Sequence, residues 1–198
     1  MSIEFNLLNV IFETLKILSE EVSTYLGEDG DVVVENVTKL DDPEGEVEGD
    51  VILTLLNIEE EKTLKNFPNT SVKNGRVQYK NPIVNLNLYL LFSGNNSSYT
   101  QSLRDISKII EFFQGKRVFD QSNTNFSRTG PMLSVGNFHF TAELYTPSFE
   151  ELNFIWGTLG GRQLPSVLYK VSIIEIERGN VVTESGSISE SIGKSNSI

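Results

Sequence analysis

The stretch IVNLNLYLLF, residues 83–92, constrains the fold more than any other. Successive side chains of a strand point to opposite faces, so Val84, Leu86, Leu88, Leu90 and Phe92 share one face. On the other face Asn85 and Asn87 give way to Tyr89 and Leu91. A strand that is apolar throughout on one face, and on both at its far end, needs cover from two sides and belongs in the middle of a sheet. The rest of the chain must supply that cover.

Three segments have helical spacing. Leu8, Ile11, Leu15, Leu18 and Val22 recur every three or four residues over 3–26, with Ser2 placed to cap the first turn and Gly27 to end the helix. Leu103, Ile106, Ile110 and Phe113 predict a second helix ending at Gly115. The third begins at TPSFEEL, where Ser148 and Glu151 form the S-x-x-E capping box. Leu152, Ile155 and Leu159 share its apolar face, with Phe149 and Trp156 flanking.

That helix settles the meaning of the pair Gly160-Gly161. A phosphate cradle runs from strand to glycines to helix, because free N–H groups and the positive dipole end lie at a helix N-terminus. Here the glycines follow the helix and supply its left-handed C-terminal residues instead. Leu164-Pro165-Ser166 then makes the exit turn. Gly193-Lys194-Ser195 mimics the end of a P-loop, yet Ile188 stands where the first glycine is required.

Strands are expected over DVVVENV (31–37) and DVILTLLNIEEEK (50–62), with an acidic Pro/Gly loop, DDPEGEVEGD (41–50), between them. Asn74-Gly75 predicts an exposed hairpin within 66–82. Residues 117–131 are polar and read as irregular. In SVGNFHFTAELY the alternation sends Phe138, Phe140, Ala142 and Leu144 inward and Asn137, His139, Thr141 and Glu143 outward. SVLYKVSIIEIE reads as the last strand, and its change of parity at Ile173-Ile174 predicts a β-bulge there or burial on both faces. Residues 1–178 therefore form one domain, and 179–198 a Ser/Gly-rich tail that cannot build a core alone. Strand order does not follow from the sequence. The class is α+β: a mixed sheet of about five or six strands packed with three α-helices.

Chemistry is sparse. The 198 residues contain no cysteine and one histidine, His139, on the polar face of a strand. The carboxylates of 41–50 and of EDGD (28–31) lack the EF-hand order of ligands, so no metal is expected. Glu143 and Glu175 are two strand carboxylates whose separation nothing fixes, and no nucleophile with its base appears. Neither catalysis nor a cofactor is expected.

Charge is uneven. Residues 1–62 hold 17 acids against 3 bases, while 63–198 hold 10 acids against 13 bases, for a net charge of −11. An acidic chain repels nucleic acid. No apolar run reaches the length of a membrane span, and Glu4 stands where a signal peptide carries positive charge, so neither membrane nor export signal is expected. The asymmetry fits a solvated acidic loop or assembly of acidic edge against basic edge.

NPIVNLNLYLLFSGN, SLRDISKIIEFFQGKRVFDQSN and FTAELYTPSFEELNFIWGTLGGRQLPSVLYKV, in that order over about 81–178, resemble the N-terminal domain of the cap, or tail terminator, proteins of extracellular contractile injection systems. These phage-tail-like particles include the Photorhabdus virulence cassette and the antifeeding prophage. The resemblance implies a tail-terminator-like fold and a structural role: a homohexameric ring that ends the inner tube, contacts inner tube protein and sheath protein, and is assembled in the cytoplasm as part of a particle that can be released. Its residues of shape would be Tyr89, Phe112, Phe113, Gln114, Trp156, Leu159, Gly160, Gly161, Pro165 and Tyr169, beside the capping pair. Interface candidates are Asp41, Asp42, Glu44 and Glu46 in the acidic loop, Arg162 and Lys170 as cations, and Val182, Ile188 and Ile192 in a tail that could add to a sheet edge. The alternative is a ligand-binding or adhesin-like module of such a particle.

Overall fold

The computed structural model describes residues 10–27, 30–42, 47–61, 70–73, 76–80, 84–135, 138–176 and 181–186. Helix α1 (Val10–Leu26) is followed by β1 (Val32–Val34), a 3-10 turn (Val37–Asp41), β2 (Val51–Glu60), β3 (Thr70–Lys73), β4 (Arg76–Lys80) and β5 (Val84–Gly94). Then come α2 (Tyr99–Gly115), β6 (Val118–Asp120), a second 3-10 turn (Gly130–Ser134), β7 (His139–Tyr145), α3 (Phe149–Thr158), β8 (Ser166–Ile176) and β9 (Val181–Gly186).

Six strands form one mixed sheet in the order β1-β2-β5-β8-β7-β6. β1 runs parallel to β2 and every other neighbouring pair is antiparallel. The strand IVNLNLYLLF is thus β5, held between β2 and β8 as its two-sided burial demands. Leu88, Leu90 and Phe92 point into the core beneath α1 and α2, together with Leu18, Val22, Ile109 and Phe113. Leu91 points the other way, into a smaller core with Ile52, Leu168 and Trp156, which α3 covers. The sheet is a middle layer with α1 and α2 on one face and α3 on the other.

β3, β4 and β9 make a second, three-stranded antiparallel sheet. Lys73 pairs with Arg76, the hairpin register expected from Asn74-Gly75, which lie outside the described residues. β9 pairs along β4, so β8 is not the last strand: part of the segment read as a tail adds to a sheet edge of its own chain. All three strands connect to the same end of the large sheet, where β2 ends, β5 begins and β8 ends. The change of parity in β8 is a register shift, Leu86 pairing with Ile173 and Val84 with Ile176, which leaves one extra residue on β8.

Several expectations need correction. In α2 the buried face is Ser102, Asp105, Ile106, Ile109, Phe112 and Phe113, while Leu103 and Ile110 are exposed. The polar side chains of Ser102 and Asp105 disguise that face, and Asp105 is satisfied there by Asn96 Nδ2 (2.7 Å) and Gln101 Nε2 (3.0 Å). Leu144 of β7 is exposed rather than inward, and Phe149, read as flanking the apolar face of α3, is exposed at its start. Within 117–131, read as irregular, β6 pairs with β7 from Val118 to Asp120. Val37 opens a 3-10 turn rather than extending β1, because Asn36 Oδ1 accepts from Thr38 N and bends the chain. Helix α1 ends at Gly27 with φ +78° as expected, whereas Ser2 and Leu8 lie outside the described residues.

Candidate functional site

The α3 face of the sheet carries most of the residues singled out in the sequence. The capping box is formed: Glu151 N donates to Ser148 Oγ (3.2 Å) and Ser148 N donates to Glu151 Oε2 (2.8 Å). The Ser148 N–H holds the Glu151 carboxyl below its ordinary value, and the Ser148 and Tyr145 hydroxyls add to the effect. At the other end Gly160 and Gly161 have φ +95° and +81°, and Gly161 N donates to Trp156 O (2.7 Å), the reverse turn that closes a helix C-terminus. Leu152, Ile155 and Leu159 pack against the smaller core and Trp156 is buried in it.

The glycine turn lies beside Asp41. A Cβ on Gly160 would lie 2.6 Å from Asp41 Oδ2, the end of an exposed side chain free to turn aside, so it is the backbone angle, φ +95°, that requires glycine there. Gly160→Ala is expected to cost about 1–3 kcal/mol. Adding Asp41→Ala should recover little of that loss, because the strain lies in the backbone, which urea unfolding of the single and double variants would resolve.

Between α3 and β2 runs a groove of about 510 Å³. Leu56, Ile155 and Phe154 line its apolar part, and Phe154 is 64% exposed. Its polar end is built by two tyrosines from different strands, Tyr89 of β5 and Tyr145 of β7, whose rings meet edge to face at 5.3 Å. Tyr89 Oη donates to Glu59 Oε2 (2.8 Å) and Tyr145 Oη donates to Glu151 Oε1 (3.1 Å). The Glu59 bond, followed by burial, pushes Tyr89 up to about 12. Tyr169, in the larger core, is also pushed up to about 12, there by burial. Both phenols are therefore neutral in the fold at pH values where an unfolded tyrosine, near 10.0, ionises. A raised folded value means stability that is complete below pH 10 and falls as pH rises toward 12. Unfolding midpoints in urea across that window should fall for the wild type and less for Tyr89→Phe.

Beyond the groove the same sheet face continues as a polar network. Asn87 is buried, donating to Glu61 Oε2 (2.9 Å) and accepting from Ser172 Oγ (2.7 Å), with Lys170 Nζ 4.0 Å from Glu61. Lys170 is therefore already within reach of a carboxylate of its own chain. Arg162 is exposed just past the glycine turn, and Pro165 O accepts from Gly94 N (2.9 Å), which fixes the exit into β8.

The remaining candidates sit elsewhere. Phe112, Phe113 and Tyr169 belong to the larger core, Phe113 with its ring 4.1 Å from that of Tyr169, while Gln114 is exposed. Asp41 and Asp42 are exposed at the end of the first 3-10 turn; Glu44 and Glu46 lie outside the described residues. Val182 is in β9, and Ile188 and Ile192 lie outside the described residues. Glu59, Tyr145 and Phe154 carry no motif that marks them in the sequence. The alternation Asn57, Glu59 in β2, continued by Glu61 just past its end, is the signal that places a polar row opposite Tyr89 and Asn87. Among the described residues no cluster of three His, Asp or Glu could hold a metal, and no helix is long and apolar enough to cross a membrane.

No curated protein matches the chain in sequence. Its fold recurs in solved structures, among them two from contractile injection particles. One is the sheath/tube terminator of the PVC extracellular contractile injection system in its extended state, with TM-score 0.58 and 16% identity over 96% of this chain. The other is the tube-terminating cap of the anti-feeding prophage, with TM-score 0.60 and 13% identity over 90% of this chain. The chain spans 65% and 59% of the lengths of those two proteins. The model of the Pvc16 N-terminal domain matches residues 13–190, from the second turn of α1 past the end of β9. The chain belongs to the Pvc16 N-terminal domain family.

Proposed function

We propose that the chain is a structural terminator, or cap, of a contractile injection system. It joins copies of itself in a ring of six at the distal end of the inner tube, stops tube growth there and holds the last sheath layer. The observation that carries this reading is the family match over residues 13–190, and the fold likeness to a sheath/tube terminator and a tube-terminating cap supports it. Its partners are further copies, inner tube protein and sheath protein, with neither nucleic acid nor membrane among them. It works without catalysis or cofactor, is assembled in the cytoplasm and leaves the cell with the particle. Residues 1–178 act as the terminator domain and 179–198 as an appended segment. Asp41, Asp42, Glu44 and Glu46 form an acidic contact edge with Arg162 beside it. Val182, Ile188 and Ile192 serve the sheath contact, β9 being an edge strand of the smaller sheet.

An epitope-tagged chain labelled with gold on purified particles tests the placement. Label at one end of each particle is expected. Label distributed along the tube, or at the end that meets the target cell, contradicts it.

A further inference from the structure

Two exposed patches lie on opposite faces of the large sheet, and each has what the other lacks. On α2, Tyr99, Leu103 and Ile110 are 69%, 44% and 37% exposed, and Arg104 and Lys108 stand beside them across a shallow depression. Among the described residues neither cation meets a carboxylate at ion-pair distance. Glu111 on the same helix neighbours the hydroxyl of Tyr25 on α1. On the far side of the sheet is the α3 groove, with the exposed ring of Phe154 along its wall. Glu59 and Glu151 at its polar end take hydrogen bonds from tyrosine hydroxyls and from the Ser148 N–H, so both carboxylates are held by neutral groups. Glu150 adds a further exposed carboxylate one helical turn before Phe154.

We propose that the α2 face of one copy docks in the α3 groove of the next. Leu103 and Ile110 cover Phe154, and Arg104 and Lys108 face Glu59, Glu150 and Glu151. A guanidinium is suited to the aromatic wall of Tyr89 and Tyr145 as well as to the carboxylates. The contact is heterologous, because the two surfaces lie on opposite faces of the sheet and one pair of copies cannot engage both at once. It cannot satisfy itself in a two-fold dimer and propagates head to tail until it closes. This names the contact within the proposed ring and so rests on that reading, adding which surfaces meet. Large apolar side chains grouped on a surface mark such sites, and opposite charge sets the register.

The absence of cysteine makes a clean test with the purified full chain at high concentration. In one chain, Leu103→Cys and Phe154→Cys lie on opposite faces of the sheet, beyond the ~4.4–6.8 Å between Cα atoms that a disulfide spans. Under mild oxidation the double variant should give a ladder of crosslinked oligomers, and each single variant should stay monomeric on a denaturing gel. Arg104→Glu with Lys108→Glu should abolish the ladder and weaken association roughly tenfold or more, read by sedimentation. Glu59→Arg with Glu150→Arg in that same chain should restore both, since every copy then carries both reversed surfaces. These positions are exposed or half-exposed, and circular dichroism verifies that each variant is folded. A monomeric wild type, dimers from either single variant, or a ladder indifferent to charge reversal overturns the contact. Gold label confined to one particle end would leave the terminator reading standing in each of those cases.

Discussion

Replacing Phe113 with alanine should remove about 3–5 kcal/mol of stability, a large share of the ~5–15 kcal/mol that holds a domain of this size. Phe113 is 2% exposed and is the point where α2 meets the sheet. Its ring lies 4.1 Å from that of Tyr169 on β8, 5.6 Å from Phe92 on β5 and 6.1 Å from Phe119 on β6. A cavity there strips contacts from three strands at once, and the sheet prevents its walls from closing in. Phe113→Leu keeps most of the volume and should lose roughly 1–2 kcal/mol. Urea unfolding of both variants measures this. A loss under 1 kcal/mol for alanine would mean that the aromatic cluster does not organise the larger core.

Trp156→Ala should cost a similar ~3–5 kcal/mol from the opposite face. Trp156 is the buried residue of α3, packed with Ile52, Leu91 and Leu168. Its Nε1 meets no hydrogen-bond partner among the described residues, so within them its contribution is shape rather than polarity. Trp156→Phe should accordingly retain most of the stability, losing roughly 1–2 kcal/mol, which a polar role for the indole would not allow. Because Phe113 and Trp156 lie on opposite sides of the sheet and share no partner, their losses should add to within about 0.5 kcal/mol. Loss of Trp156 should also loosen α3, and with it the groove.

Where the sequence was legible, one local rule sufficed. The parity of β5 placed it at the centre of a two-faced sheet. The Ser148–Glu151 box and the Gly160-Gly161 turn fixed both ends of α3, and the Asn74-Gly75 pair fixed the hairpin register. The change of parity in β8 foretold its extra residue. Where legibility failed, tertiary contacts decided. The buried face of α2 contains Asp105, at 0% exposure, because two amides satisfy its carboxylate, and apolar spacing alone points to a face rotated toward Leu103 and Ile110. β6 has three residues in a polar setting and is a strand because β7 lies beside it. β9 has too little apolar content to announce itself and is ordered by pairing with β4. The groove joins Glu59, Tyr89, Tyr145 and Phe154 from four elements, which no spacing along the chain reveals.

Whether this chain stops a tube decides the proposed role. The measurement is the length distribution, by electron microscopy, of particles from cells lacking it. Tubes and sheaths of uncontrolled length are expected, with normal length returning when the wild-type chain is supplied. Particles of normal, uniform length without the chain would contradict it.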